Sequence, residues 1–407
     1  MKNNKQVLWM RVCGLGMVQG AITLTWVIYN FYLPKLLVEF GFSKSLAVSL
    51  LILENALAVI MEPLMGSLSD KTQRWFASRF PFITVGILVS SALFIAIPGL
   101  VTFVPPTAVF KYILPVLLVV WALAMTTFRS PVLSLLGRYA LPKSLPMAAS
   151  VLTLIGGTVG SFRIPINNYL LSFPPIITFS IGSFTLLASA TILRFIHPPE
   201  TVTDKPIDRH IAASPPSLSI PALGIIFGLG SSFSWGYRSL LGGVSKFLKL
   251  QSNSDNTQLQ MLIFGFSIAL AALLAGIVGK KIGNRNAMFA GAIAVVTSML
   301  LLPVFGASIT VLAPLALGVS FVLNGTIPLA LEILPPNRGG LGVGMYFGGV
   351  GLAMSIFSSM FPNNQAIAPG FAALMSAIAF TVAGILIISS AFLHHPPKRD
   401  NQALSKN

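Results

Sequence analysis

The feature that most constrains this chain is a succession of apolar stretches, each roughly 18–25 residues long and nearly free of charge. A run of that length, coiled as an α-helix, matches the thickness of a bilayer, and in lipid each backbone N–H and C=O must find its partner within the segment. The approximate spans are 8–33, 45–67, 81–103, 109–129, 147–170, 175–196, 218–241, 258–279, 286–304, 308–328, 339–361 and 368–393. The sequence therefore predicts an all-α membrane protein with about twelve transmembrane helices. Composition agrees, since 55% of the 407 residues are hydrophobic and 9% are charged, where a soluble domain carries about a quarter of its residues as charges. The run that begins at Val7 continues to about Leu33 without a small-residue cleavage site, so it is expected to be a retained first span.

The longest polar interval, "HPPETVTDKPIDRHIAASPPS" at 197–217, divides six spans from six. Two matched halves are expected: an N-terminal bundle over 1–196, a cytoplasmic linker over 197–217, a C-terminal bundle over 218–393 and a cytoplasmic tail over 394–407.

The net charge of +16 sits in the connectors and not in an aromatic-interleaved patch, which argues against nucleic acid as a partner. One set of alternate connectors holds Lys2, Lys5, Arg11, Lys71, Arg74, Arg79, Arg138, Lys143, Lys205, Arg209, Lys280, Lys281, Arg285, Arg338, Lys398 and Arg399. The other holds mainly Lys35, Lys44, Lys111, Lys246 and Lys249. By the positive-inside rule both termini are cytoplasmic, and the plasma (inner) membrane is the expected location. The single cysteine, Cys13, excludes an internal disulfide framework and is expected to pack as a small apolar residue.

One connector, "GSLSDKTQRWFASRFPF" at 66–82, concentrates charge beyond what orientation requires. It places Asp70 after the second span, then Lys71, Arg74 and Arg79, then Pro81 at the start of the third. A carboxylate there can meet the positive N-terminal end of another helix and nearby arginines, holding two bundles together on that side. The stretch resembles the loop between helices two and three of the major facilitator superfamily, G-x-L-x-D-R-x-G-R-R, through Gly66, Leu68 and Asp70, with Lys71 in place of the arginine. A longer form, S-D-R-x(4)-[FW]-G-R-R-R-P-F, occurs in glycoside-pentoside-hexuronide cation symporters and plant sucrose transporters. Ser69, Asp70, Phe76, Arg79, Pro81 and Phe82 fall at its spacing, while Ala77, Ser78 and Phe80 depart from it. "YNFYLPKLL" after span one looks like a further family segment. "FRSPVLSLLGRYALPKSLPMAAS" after span four resembles the family's P-x-x-A-L-x-x-D-x-x-P connector, with Arg138 at the usual acidic position. "GKKIGNRNAMFAG" at 279–291 reads as a degenerate copy of the first loop with its carboxylate lost. The resemblance implies two six-helix bundles in the major facilitator fold, with the eleventh helix, near Arg338, as the partner of Asp70. A latch of Glu62, Asp70, Lys71, Arg74, Arg79, Arg129 and Arg338 is expected, against the plainer reading of a solvated loop acid.

Ionisable groups inside a membrane are costly and usually face a cavity or a partner. Glu54, with Asn55 beside it, lies near the middle of span two; Glu62 and Asp70 follow at steps of eight residues and form a slanting row. Arg163 is expected slightly outward of the middle of span five, where an ion pair with Glu54 would relieve both desolvation costs; a static pair is the competing reading. Arg238 in span seven is expected to snorkel outward. Gln19, Thr23, Asn30, Trp121, Ser234, Trp235, Tyr237 and Asn324 complete a candidate cavity, aromatic surfaces beside polar anchors suiting a polyhydroxylated solute. Tyr29 and Tyr32 fit an interfacial belt. The glycine-crowded span eleven suits either a sliding gate or tight packing.

The sequence carries no phosphate-binding loop ending in Lys-Ser/Thr, no H-E-x-x-H and no G-x-S-x-G, so an enzyme and an ATP-driven pump are both disfavoured. No cofactor is expected. The leading expectation is a secondary active transporter of a small organic solute, a sugar or glycoside by resemblance, coupled to protons in preference to sodium, with the lipid bilayer as its surroundings and no obligate protein partner evident. Competing expectations are a non-transporting assembly or pigment- or lipid-binding factor on the same fold, and an exporter of amphipathic compounds.

Overall fold

The computed structural model describes residues 7–76, 78–105, 107–163, 172–197, 219–251, 254–362 and 367–393. Most of the expected linker, including Lys205, Arg209 and His210, and the tail with His394, His395, Lys398 and Arg399 lie outside the described residues, as do Lys2 and Lys5. Twelve long helices carry the fold: α1 (Trp9–Glu39), α2 (Lys44–Phe76), α3 (Phe80–Phe103), α4 (Ala108–Ser134), α5 (Leu145–Ser161), α6 (Pro175–Ile196), α7 (Ile220–Gln251), α8 (Ser254–Ile282), α9 (Asn284–Phe305), α10 (Ile309–Ile333), α11 (Gly339–Met360) and α12 (Pro369–Phe392). Eleven are long and apolar enough to cross a membrane; α7, whose apolar residues alternate with Gly, Ser231, Ser232, Ser234 and Arg238, is the other. Among the described residues there is no β-strand, only an isolated bridge between Val7 and Ala140.

The helices form two six-helix bundles. One apolar core is built almost wholly from α1 to α6 and buries Leu15, Tyr29, Tyr32, Phe94, Trp121 and Phe128. A second runs through α7 to α10 and α12 around Leu240, Met288, Val319 and Phe380. The outward faces carry large apolar residues such as Ile60, Phe184, Val304 and Phe392, as helices solvated by lipid require.

Two seams join the bundles. Along the first, α2 meets α11 backbone to backbone: a Cβ on Gly340 would stand 2.5 Å from the Gly66 carbonyl, on Gly348 3.0 Å from that of Val59, and on Gly351 2.7 Å from that of Asn55. Only glycine permits such an approach, so the glycine-rich span eleven is a close-packed face here. Along the second, α5 meets α8: a Cβ on Gly157 of α5 would stand 2.9 Å from Ala269 of α8, and Cβ atoms on Gly265, Gly276 and Gly279 of α8 would stand 2.8–2.9 Å from Ser161, Ser150 and Pro146 of α5.

Two expectations about span limits are corrected. The connector after span two is helical to Phe76, because nothing between Gly66 and Phe76 breaks a helix and the buried Asp70 anchors the added turns. The helix of span five runs to Ser161, so Arg163 follows in a turn past its C-terminal end and not within it, and 164–170 of the expected span lie outside the described residues.

Candidate functional site

The three acids of α2, eight residues apart, each serve a different neighbour. A step of eight turns the helix by about 80°, so the row visits successive sides. Glu54, 5% exposed, accepts a hydrogen bond from the Tyr29 hydroxyl of α1, while its other oxygen is buried without a hydrogen-bond partner. Glu62 is fully buried and is held by α4, accepting from Arg129 Nε at 2.7 Å and from the Ser130 hydroxyl. Asp70, 1% exposed, accepts from the backbone N–H groups of Gly340 at 2.9 Å and Leu341 at 2.8 Å, and pairs with Arg79.

Asp70 thus caps the first turn of α11, which has no acidic residue of its own and no side-chain cap from Arg338. The carboxylate meets both the helix dipole and two otherwise unpartnered donors. Arg79 also donates to Ser134 at the end of α4, so α2, α3, α4 and α11 converge on one group. Arg338 adds its charge nearby, whereas Lys71 is exposed; the Arg74 side chain lies outside the described residues. Arg129 stacks over the Phe347 ring of α11 at 4.2 Å, a second charged contact across the same seam.

Toward the middle of the bundle, Glu54 and Asn55 line a cavity of about 100 Å³ with Trp26, Ala58, Ala122, Thr126 and Arg129. Behind Trp26 on its wall lies an aromatic group, in which Trp121 stands 4.2 Å from Tyr29, 4.9 Å from Phe94 and 5.0 Å from Trp26, measured between ring centroids. Trp121 is fully buried and has an unpartnered indole N–H. Solute pockets usually enclose roughly 300–1,000 Å³, so this arrangement is closed around its centre.

The expected Glu54–Arg163 pair is not formed. Arg163 stands past the C-terminal end of α5, exposed and close to Tyr237 and Arg238 of α7, while Glu54 is taken by Tyr29. Among the described residues the ion pairs are Asp70–Arg79 and Glu62–Arg129. Arg238 does not snorkel: it lies over Phe357 at 5.3 Å with a buried, unpartnered Nε, because aromatic surface is available inside the bundle. Tyr29 and Tyr32 are fully buried and not interfacial, since each hydroxyl finds a partner in the core, Glu54 for one and Thr178 for the other. Cys13 is exposed on the outward face of α1 beside Met10 and Met17.

The remaining candidates are scattered. Asn30 donates to the Trp26 carbonyl and Asn55 to that of Leu51, both local contacts within a helix. Gln19 lies against Gly156 of α5, with its Oε1 buried and unpartnered, and Thr23 bonds the Gln19 carbonyl. Trp235 packs on Phe357 and Phe361, and Ser234 is buried on α7. Asn324 of α10 crosses between bundles, donating to the Pro146 carbonyl at 2.9 Å and accepting from Thr153 at 3.1 Å. Ser130 and Ser134 were not legible as site residues; their i, i+4 spacing on the inner end of α4 was the available signal.

No family model matches the chain, and no curated protein sequence matches it. Solved structures do. A bacterial homologue of the iron transporter ferroportin, in its outward-facing state, superposes with a TM-score of 0.71 at 14% identity, covering 94% of this chain and 99% of that one. FucP, a major facilitator superfamily transporter in the outward conformation, gives 0.70 at 12% identity over 95% and 99%. The proton:xylose symporter XylE gives 0.66 at 14% identity over 94% and 95%.

The chain has the major facilitator fold. Within this fold the seams α2·α11 and α5·α8 are the main contacts between bundles, and the Asp70 cap lies at the end of the first seam that also carries Arg79, Lys143 and Lys280, called the basic end below.

Proposed function

We propose that this protein is a secondary active transporter that moves a small organic solute by alternating access, driven by protons, with its basic end in the cytoplasm. The reading rests on one observation: Glu54, buried at the middle of a membrane bundle beside a small cavity, has one carboxyl oxygen held by Tyr29 and the other without a partner. An unpartnered carboxyl oxygen in a low-dielectric interior carries a desolvation cost that a bound proton relieves, so loading and release of that proton bias the packing around it. The Glu54 backbone neighbours form the α2·α11 seam, which links that packing to the contact between bundles.

The solute class proposed is a sugar or glycoside. Trp26 beside Asn55 and Thr126 on the cavity wall, backed by Tyr29 and Trp121, supports it, a stacking face next to polar groups being suited to a polyhydroxylated ring. The resemblance of the loop and the likeness in fold to the proton:xylose symporter XylE support it as well. An anionic solute is the second reading, favoured by Arg163 and Arg238, contributed by different bundles and close enough to repel one another.

The test is uptake of labelled monosaccharides, glycosides and organic anions into proteoliposomes with and without an inward proton gradient. Gradient-stimulated uptake should fall at least tenfold in Glu54→Gln, while solute exchange without a gradient persists. Uptake by the wild type that ignores the gradient, or stimulation unchanged in Glu54→Gln, removes the proton role.

A further inference from the structure

A cavity much larger than the central one lies at the basic end, with a volume of about 1180 Å³ against about 100 Å³, and is lined by both bundles: Arg79, Arg138 and Lys143 from one, Lys280, Lys281 and Arg285 from the other. Glu332 is the acid on its wall. Arg79 is committed to Asp70, and Arg285 lies within electrostatic reach of Glu332. Lys143, Lys280 and Lys281 remain as an excess of positive charge inside a concave surface, none of them in a salt bridge among the described residues.

Three further features shape what this space accepts. The first turn of α9, with no acidic residue and no side-chain cap from Gly283, forms part of the same wall as the lysines, and the positive end of its dipole adds to their charge. At one edge the lining becomes apolar, with Phe289, Ile387, Ile388 and Ala391, and Phe289 and Ile388 are exposed on the side of the bundle that faces lipid. Directly beside the cavity, Pro146 touches Gly279 at the basic end of the α5·α8 seam. That seam has no ionic latch of its own: the degenerate motif at 279–291 keeps the cations and lacks the carboxylate that Asp70 supplies to the other seam.

We infer that this cavity binds a phosphate-bearing anion, and that the bound phosphate supplies the α5·α8 seam with the negative charge its own sequence has lost. Lys143 on one bundle and Lys280 and Lys281 on the other would share the anion, so occupancy favours closure of the seam at the basic end. The apolar edge at Phe289 and Ile388 suits the acyl chains of an anionic phospholipid, in keeping with basic pockets between transmembrane helices that take lipid headgroups. Free phosphate presents the same headgroup chemistry without that contact. The inference does not depend on whether the chain moves a solute.

The experiment is thermal unfolding of the full chain in nanodiscs of phosphatidylcholine, of phosphatidylcholine with phosphatidylglycerol, and of phosphatidylcholine with millimolar inorganic phosphate, together with native mass spectrometry for retained lipid. The wild type should melt several degrees higher with phosphatidylglycerol and retain it. The double variant Lys280→Gln/Lys281→Gln should lose more than half of that shift, and Lys280→Arg/Lys281→Arg should keep it. A shift with inorganic phosphate equal to that with the lipid, lost in the Gln variant, supports a soluble phosphate as the source. Equal melting in all three media, or a full shift in the Gln variant, overturns the inference.

Discussion

At the scale of single residues, Asp70 carries the most consequence, because one carboxylate satisfies Arg79 and two donors of α11. Removing one partner of a buried ion pair strands the other, at a cost of about 3–5 kcal/mol. Asp70→Asn is therefore expected to destabilise the protein by about 3 kcal/mol, measured by denaturation in detergent. His197, just past α6, offers a pH-dependent check. Burial, then the charges of Arg11, Arg138 and Arg194, push its imidazole down from 6.5 to about 4, and Nδ1 lies 3.1 Å from the Tyr139 hydroxyl. With the folded value below the unfolded one, the unfolded chain takes up the proton first. The stability this residue contributes is full above pH 6.5 and is lost as pH falls toward about 4. The melting temperature of the wild type should thus drop more steeply over that window than that of His197→Gln. An acid followed by spaced cations marked Asp70 in the sequence, but the charge pattern itself did not point to α11, which came only from the resemblance of the loop. Tyr29 was misplaced because an aromatic residue near a span end looks the same whether it faces headgroups or a carboxylate on the next helix.

At the scale of elements, α2 and α11 are the decisive pair. Their contact needs glycine at 340, 344, 348 and 351 of α11, and a side chain at Gly344 would collide with the Glu62 carbonyl. Gly344→Val is expected to cost about 1–3 kcal/mol by overpacking and to push the helices apart by several ångströms on the scale of a side chain. Spin labels on the exposed positions Lys71 and Asn337 would report the separation. Helix number and order were legible because lipid imposes a length and an apolar character on each span. Helix ends were less so. The extension of α2 to Phe76 and the early end of α5 at Ser161 depend on tertiary anchoring and on turn geometry, neither of which leaves a mark in hydropathy.

At the scale of the whole molecule, the two seams differ in kind. One combines close backbone packing with Asp70–Arg79 and the Arg129–Phe347 contact; the other relies on small residues and on Asn324 bridging to Pro146. Asp70→Asn should consequently widen the Lys71–Asn337 distance while leaving labels at Lys143 and Lys281, both exposed across the second seam, in place; equal movement at both pairs would count against independent seams. The twofold plan was legible in the spacing of spans, but this inequality was visible only as an eroded copy of one loop. The mismatch has a consequence for what can release each side. Neutralising a single carboxylate reaches the clasp at the end of α2 and α11, whereas nothing short of reshaping the small-residue surfaces of α5 and α8 reaches the other.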